Sequence, residues 1–301
     1  EDFESSGLFA NYWSQGTQYG FAIDKTAPTG SVKIKEESWT AHLMNLAFGR
    51  FSKESVTATA EEIKDLQTGL TDPHGCMYYI DGGTAGLVYE ELNTLYDNSE
   101  FADYLTGGIV LDPNKRATVY LRLEDKAGNV SYLNANGYIL DQSKSVIEFT
   151  GLNPAPASAP ADPEDPTVYG SDAKDGITVS LKVQEGADTE SGIKTITASI
   201  TGGAKIKTDG ETSDTSDTLT LYASDITDET NPDTVKESDL KDTWTGNVII
   251  DTTGVDSSDV VLTITTVDHA GNETSASKKF DIDTVGPAIT VTYNNNAAKV
   301  R

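Results

Sequence analysis

Two five-residue runs concentrate the residues able to do chemistry in this chain: Asp125-Lys126-Ala127-Gly128-Asn129 and Asp268-His269-Ala270-Gly271-Asn272. Each is spelled as a tight β-hairpin. Asp at the first position of a type I turn accepts a backbone N–H two residues on, and Gly at the fourth takes the positive φ that a three-residue hairpin loop requires. A further acid ends the alternating run after each turn, Asp141 in the first case and Asp283 in the second. Carboxylates gathered in this way are ligands for a hard cation. Ca2+ is therefore the candidate cofactor, because it is held by clustered carboxylate and carbonyl oxygens. The candidate ligands are Asp141 and Asp283, which leave the closing strands, with Asp188 and Glu190 in a turn expected at a module end. The EF-hand spelling is absent, and the competing reading is that these acids cap turns.

Other constellations offer less. His74-Gly75-Cys76 supplies two metal ligands, but nothing completes a four-ligand zinc set at the usual spacing. Cys76 is expected to pack as a small apolar residue in a core strand. His42 and His269 have no Ser or Cys partner that the sequence places beside them. With 48 acidic residues in the chain, adjacent carboxylates say nothing about a glycosidase pair. No Gly-rich phosphate loop precedes a helix. The chain reads as non-catalytic.

The elements that must hold these residues are mostly strands. Val260 to Thr265 and Thr118 to Leu123 precede the two turns, and a second alternating run follows each. Further strands are expected at Gly30–Lys35, Ser55–Ala60, Cys76–Ile80, Ile109–Leu111, Val146–Phe149, Ile177–Val183, Thr195–Ile200, Leu219–Tyr222 and Trp244–Ile250. At Thr59-Ala60-Glu61-Glu62 a capping-box spelling competes with the strand. The strand is preferred because Asp65-Leu66-Gln67-Thr68-Gly69-Leu70 repeats as Asp188-Thr189-Glu190-Ser191-Gly192-Ile193, each between two alternating runs. Trp39 to Phe51 is an apolar insertion expected to cover one end of a sandwich. Asn153 to Pro166 is Pro- and Ala-rich and reads as a surface loop within a module, with a linker as the rival. Leu87 to Tyr96 places Val88, Leu92, Leu95 and Tyr96 on one face of a helix of about three turns. A second short helix is expected from Ser99, ended by Gly107-Gly108.

Composition sets outer bounds. With a net charge of −26 and no basic patch of useful size in the sequence, nucleic acid and anionic membrane surfaces are poor partners, and neither nucleic-acid binding nor membrane insertion is expected. The single cysteine excludes an internal disulfide. No stretch approaches the ~18 apolar residues of a membrane span.

Asp24-Lys25-Thr26-Ala27-Pro28-Thr29-Gly30, Leu46 to Phe51, Asp125 to Val130 with Tyr132, and the exit Gly137 to Asp141 together resemble the bacterial immunoglobulin-like repeats of large surface proteins in Firmicutes. The match covers residues 24–141 at both ends and in the middle. Residues 141–283 match mainly at the closing hairpin and the Ser191-Gly192-Ile193 turn, and Ser145 stands where Pro is usual. The resemblance implies an all-β chain of tandem immunoglobulin-like β-sandwiches, the first with a short helical insertion. Residues 1–23 would be the closing strands of a preceding module, 24–140 and 141–283 two modules, and 284–301 the linker and first strand of another.

The same resemblance implies an extracellular place on a bacterial surface, wall-anchored or secreted, with neighbouring modules of the chain as partners. The favoured function is a structural spacer, since a joint of about four residues bends little. With strands of 8 to 10 residues rising about 30 Å, two modules make a rod of about 70–80 Å. One alternative is an adhesin region binding a host glycoprotein, immunoglobulin or glycan through Leu87, Tyr89, Leu92, Tyr96, Phe101 and Tyr104 of the helical insert. Another is an accessory region of a wall-bound carbohydrate-active enzyme.

Overall fold

The computed structural model of the protein describes residues 8–11, 18–21, 23–40, 43–186, 191–208, 214–226, 232–287 and 289. Leu8–Asn11 and Gln18–Phe21 pair as an antiparallel hairpin. Of the strand expected at residues 288–292, all but Ile289 lie outside the described residues.

From residue 29 to 140 the chain forms two sheets. One has the strand order Glu37–Thr40, Thr29–Ile34, Val56–Lys64, Ile109–Leu111. The other runs Arg50–Ser52, Tyr138–Leu140, Lys115–Glu124, Cys76–Asp81, Ala102–Asp103, with Val130–Asn134 also on Lys115–Glu124. Val32, Ile34, Ala58, Ile109 and Leu111 of the first meet Val119, Leu121, Leu123 and Leu133 of the second in one core. Residues 56–64 are thus a strand rather than a capped helix, because Val56 and Ala58 must reach that core.

From residue 146 to 283 there are two five-stranded sheets. Their orders are Val146–Asn153, Ile177–Gln184, Thr243–Asp251, Lys205–Lys207, Thr215–Ser216 and Thr167–Tyr169, Glu273–Asp283, Asp256–Asp268, Ile193–Thr201, Thr218–Ala223. The alternation is strict here. Ile177, Val179, Leu181 and Val183 are buried while the residues between them are half-buried, and Val260, Leu262 and Ile264 repeat the pattern. Period two is what a sheet with one wet face requires. Residues 154–166 connect two strands of this same half, one in each sheet, so the Pro-rich stretch is a loop and not a linker.

Among the described residues the arrangement is all-β apart from one α-helix and short 3-10 turns, with mainly antiparallel sheets of β-sandwich type. Among the described residues no strand pairing and no core cluster joins the strands before residue 141 to those after it.

The helix is Tyr89–Asp97. It lies over the outer face of the sheet containing Lys115–Glu124, where Leu92, Phe101, Tyr120 and Tyr132 form a small second core. This explains why Ala117 through Leu123 are buried on both faces of their strand. The second helix expected from Ser99 does not form. Ser99 adopts φ +63°, and Ala102–Asp103 instead pairs with Met77 and Tyr78 as an edge strand, which points Phe101 into the small core. Trp39 belongs to the strand Glu37–Thr40 rather than to an insertion. Residues 43–49 do dock on the sheet: the side-chain carbonyls of Asn134 and Asn136 accept the N–H groups of Met44 and Ala47 at 2.8 and 3.3 Å.

Candidate functional site

Strand parity delivers the key carboxylates. Val119, Leu121 and Leu123 face inward, and Asp125 is next in the same register. Val260, Leu262, Ile264 and Thr266 face inward, and Asp268 follows. Both acids are therefore carried, buried, to the end of a sandwich, where the turn begins. Gly128 and Gly271 each take φ +86°, and their N–H groups close on the carbonyls of Asp125 and Asp268 at 3.1 and 3.2 Å. The expected turn is present twice.

Each turn also holds the segment that leads into its own half. In the second, Asn272 N–H donates to Asp268 Oδ1 at 2.8 Å. Its side-chain amide donates to Asp268 Oδ2 at 2.7 Å and to the Asp141 carbonyl at 2.9 Å. In the first, Asn129 repeats all three bonds onto Asp125 and the Asp24 carbonyl. Asp141 Oδ2 accepts the Ser191 N–H, as Asp24 Oδ2 accepts the Thr68 hydroxyl. Ser191 and Thr68 occupy the same place in the internal repeat.

Two groups of three acids result, Asp24–Asp65–Asp125 and Asp141–Glu185–Asp268, with the nearest carboxylate oxygens of each group within 4.8 Å of one another. Asp141, Glu185 and Asp268 are 0, 3 and 0 % exposed. Glu185 continues the inward register of Ile177, Val179, Leu181 and Val183. Its Oε1 accepts the buried Ser145 hydroxyl. Its Oε2 is buried with no hydrogen-bond partner, and so is Oδ1 of Asp65.

The electrostatics of the two turns differ. Burial works against the charge on Asp125, but the Asn129, Ala127 and Gly128 donors outweigh it and hold the carboxyl below its ordinary range. Asp268 is pushed the other way: burial, with the Asp141 charge added, overcomes the same kind of donors. Burial pushes Glu185 up to about 7, opposed by the Ser145 hydroxyl and reinforced by Asp268, Asp141 and Asp242. Desolvation with like charges nearby raises a carboxyl pKa.

The second turn also faces the preceding half. The His269 ring stacks on Phe51 with centroids 5.0 Å apart and planes at 25°, and Lys53 Nζ donates to the Gly271 carbonyl at 3.3 Å. Alongside, Arg50 pairs with Asp233 at 2.9 Å, Asn136 donates to the same carboxylate, and Phe48 N–H donates to the Val235 carbonyl at 3.0 Å.

Of the four acids proposed from sequence, Asp141 is in a triad. Asp283 is exposed and accepts the Val285 N–H, outside either group. Asp188 and Glu190 lie outside the described residues, as does His42. Glu185 was missed, although an acid on the inward register of a strand is a readable signal. Asp24, which opens the first module, and Asp65 and Asp125, which belong to turns, are not among the ligands that the sequence suggests. His74 pairs with Asp103 at 2.6 Å, and Cys76 packs on the core, so these two do not converge. In the helical insert, Leu92 and Phe101 are buried and Leu87, Tyr96 and Tyr104 are half-buried. Arg122 lies 3.6 Å over the Tyr96 ring. Tyr89, 45 % exposed, is the member of the six that faces solvent.

No family model matches the chain, and no curated protein matches it. Among solved structures it has weak similarity to a 1.5-MDa bacterial ice-binding adhesin: 12 % identity, 81 % of this chain and 66 % of that one, TM-score 0.30. A Ca2+-stabilized adhesin with which an Antarctic bacterium binds ice gives 11 % identity, 94 % and 57 % coverage, and 0.26. Streptomyces avermitilis α-L-rhamnosidase gives 10 % identity, 83 % and 24 % coverage, and 0.21. The chain thus spans less than two thirds of each of these chains, and TM-scores this low fall short of a shared fold. No helix among the described residues is long and apolar enough to cross a membrane.

Proposed function

We propose that this chain is a run of tandem immunoglobulin-like spacer modules from an extracellular bacterial surface protein, with no catalytic role of its own. The observation that supports the reading is the joint between the halves. Residues 141–145 alone separate the strands Tyr138–Leu140 and Val146–Asn153. The joint is bridged by Phe51–His269 and Arg50–Asp233. A short connection with side-chain contacts around it resists bending, which is what a spacer needs. The adhesive alternative draws on Tyr89 and its exposed neighbour Val88, while Leu92 and Phe101 are buried and Leu87, Leu95, Tyr96 and Tyr104 are half-buried, which leaves a partner little to grip.

Gly49 tests the joint without touching either core. A Cβ there would lie 2.5 Å from the Pro232 carbonyl oxygen and 2.6 Å from its Cα, across the joint. The expected result is that small-angle scattering of the wild-type chain fits one stiff shape, and that Gly49→Ala broadens its distance distribution without lowering the unfolding midpoint of either half. A wild-type chain that already scatters as a flexible pair, or a Gly49→Ala chain that scatters identically, would refute the spacer reading.

A further inference from the structure

We propose that Asp141, Glu185 and Asp268 form a divalent-cation site, matched to Ca2+, that fastens the linker to the closing turn of the second half. The inference goes beyond the spacer reading and does not depend on it. Its basis is an imbalance of charge and hydrogen bonding. Three carboxylates converge within 4.8 Å, all nearly or wholly buried. None of the three makes an ion pair with a basic side chain among the described residues. Buried like charges without a counter-charge are costly, and buried polar atoms are normally hydrogen-bonded.

The second observation is independent of the clustering. Glu185 is 3 % exposed, and its Oε2 has no hydrogen-bond partner while Oε1 is anchored by Ser145. One oxygen of the residue is thus fixed and the other left over beside two further carboxylates. The oxygens of Asp141 and Asp268 accept backbone and amide N–H groups, and a carboxylate oxygen so engaged retains a second lone pair for a metal. Those bonds also preorganise the ligands, because the rotamers are set before any ion arrives. An all-oxygen, triply acidic donor set selects a hard cation over zinc or copper. Ca2+, with longer and more flexible coordination than Mg2+, suits ligands drawn from a linker, a strand end and a turn. The first half repeats the device with Asp24, Asp65 and Asp125, where Oδ1 of Asp65 is the buried atom without a partner.

The test uses the full chain, stripped with chelator, with Trp13 and Trp39 replaced by Phe so that Trp244 reports on the second half. Calorimetric titration with CaCl2 is expected to show binding, with MgCl2 weaker, and Ca2+ is expected to raise the Trp244 melting transition. Glu185→Gln keeps the acceptor for Ser145 and removes the charge. It is expected to abolish the Ca2+-dependent rise and to weaken binding at this site by at least about tenfold, because the number of charged ligands sets Ca2+ affinity. Its melting point in chelator, equal to or above that of the parent, shows that it folds. The proposal is overturned if millimolar Ca2+ neither binds nor shifts the transition, or if Glu185→Gln responds to Ca2+ as the parent does.

Discussion

Asn272→Ala is the sharpest probe of how the second half is closed. Its side-chain amide makes two bonds, to the Asp141 carbonyl at 2.9 Å and to Asp268 Oδ2 at 2.7 Å. Both acceptors belong to residues with no exposed surface. A neutral bond of this kind contributes about 1 kcal/mol and one to a charged group about 1.5–3 kcal/mol. Their loss predicts a destabilisation of about 2.5–4 kcal/mol, toward the lower end where water enters beside the half-buried Asn272. With a urea m-value of about 2 kcal/mol/M for a domain of this size, the midpoint should fall by about 1–2 M. The assay is equilibrium urea unfolding in chelator, so that no bound cation contributes. Trp39 reports on the first half and Trp244 on the second, each read in a background lacking the other tryptophans. Asn129→Ala is the matched control. It makes the same bonds, though the one to the Asp24 carbonyl is longer at 3.2 Å, so it should lower the Trp39 transition by a similar or smaller amount. A shift below about 0.3 M for Asn272→Ala would mean the amide is not holding the linker. Equal movement of both transitions by either variant would refute independent cores.

Two further outcomes are expected. Leu92→Ala empties the centre of the small core beneath the helix, at a site with no exposed surface, and should cost about 2–5 kcal/mol locally. Hydrogen exchange should then speed up over residues 89–97 and leave 177–183 unchanged; uniform loss of protection would show that the helix is not a separate layer. Burial pushes the Cys76 thiol up to about 12, well above the ordinary thiol range, so at pH 8 the folded chain should resist an aromatic disulfide reagent and react fully in urea. Because the folded thiol keeps its proton longer than the unfolded one, this group's contribution to stability should fall as pH rises above about 9. Rapid labelling of the native chain at pH 8 would contradict the burial.

How much of this was readable beforehand can be judged from particular residues. The strands at 177–184 and 256–268 follow from alternation alone, because a sheet with one wet face has a period of two. The turns at 125–129 and 268–272 follow from Asp and Gly at fixed offsets, since only local backbone geometry is involved. The helix over 89–97 follows from its apolar stripe. The segment after it does not: Glu100 and Asp103 look like a first helical turn, yet a free edge at Met77–Tyr78 captures Ala102–Asp103 as a strand. Tertiary hydrogen bonding there overrides local preference. Glu185 shows a related limit. Its inward register was legible, but its significance depends on which acids stand opposite.

The chain's own order of residues fixed the all-β character, the positions of the hairpins and the repetition of the device, because each is set by neighbours within a few residues. Only the folded structure decided that Asn272 clamps Asp141, 131 positions away, that Glu185 joins them, and that His269 stacks on Phe51 of the preceding half. Periodicity says which face a side chain occupies; the order of strands across two sheets says what it meets there. Convergence of like charges at such a distance is a property of topology, which no local pattern of residues encodes.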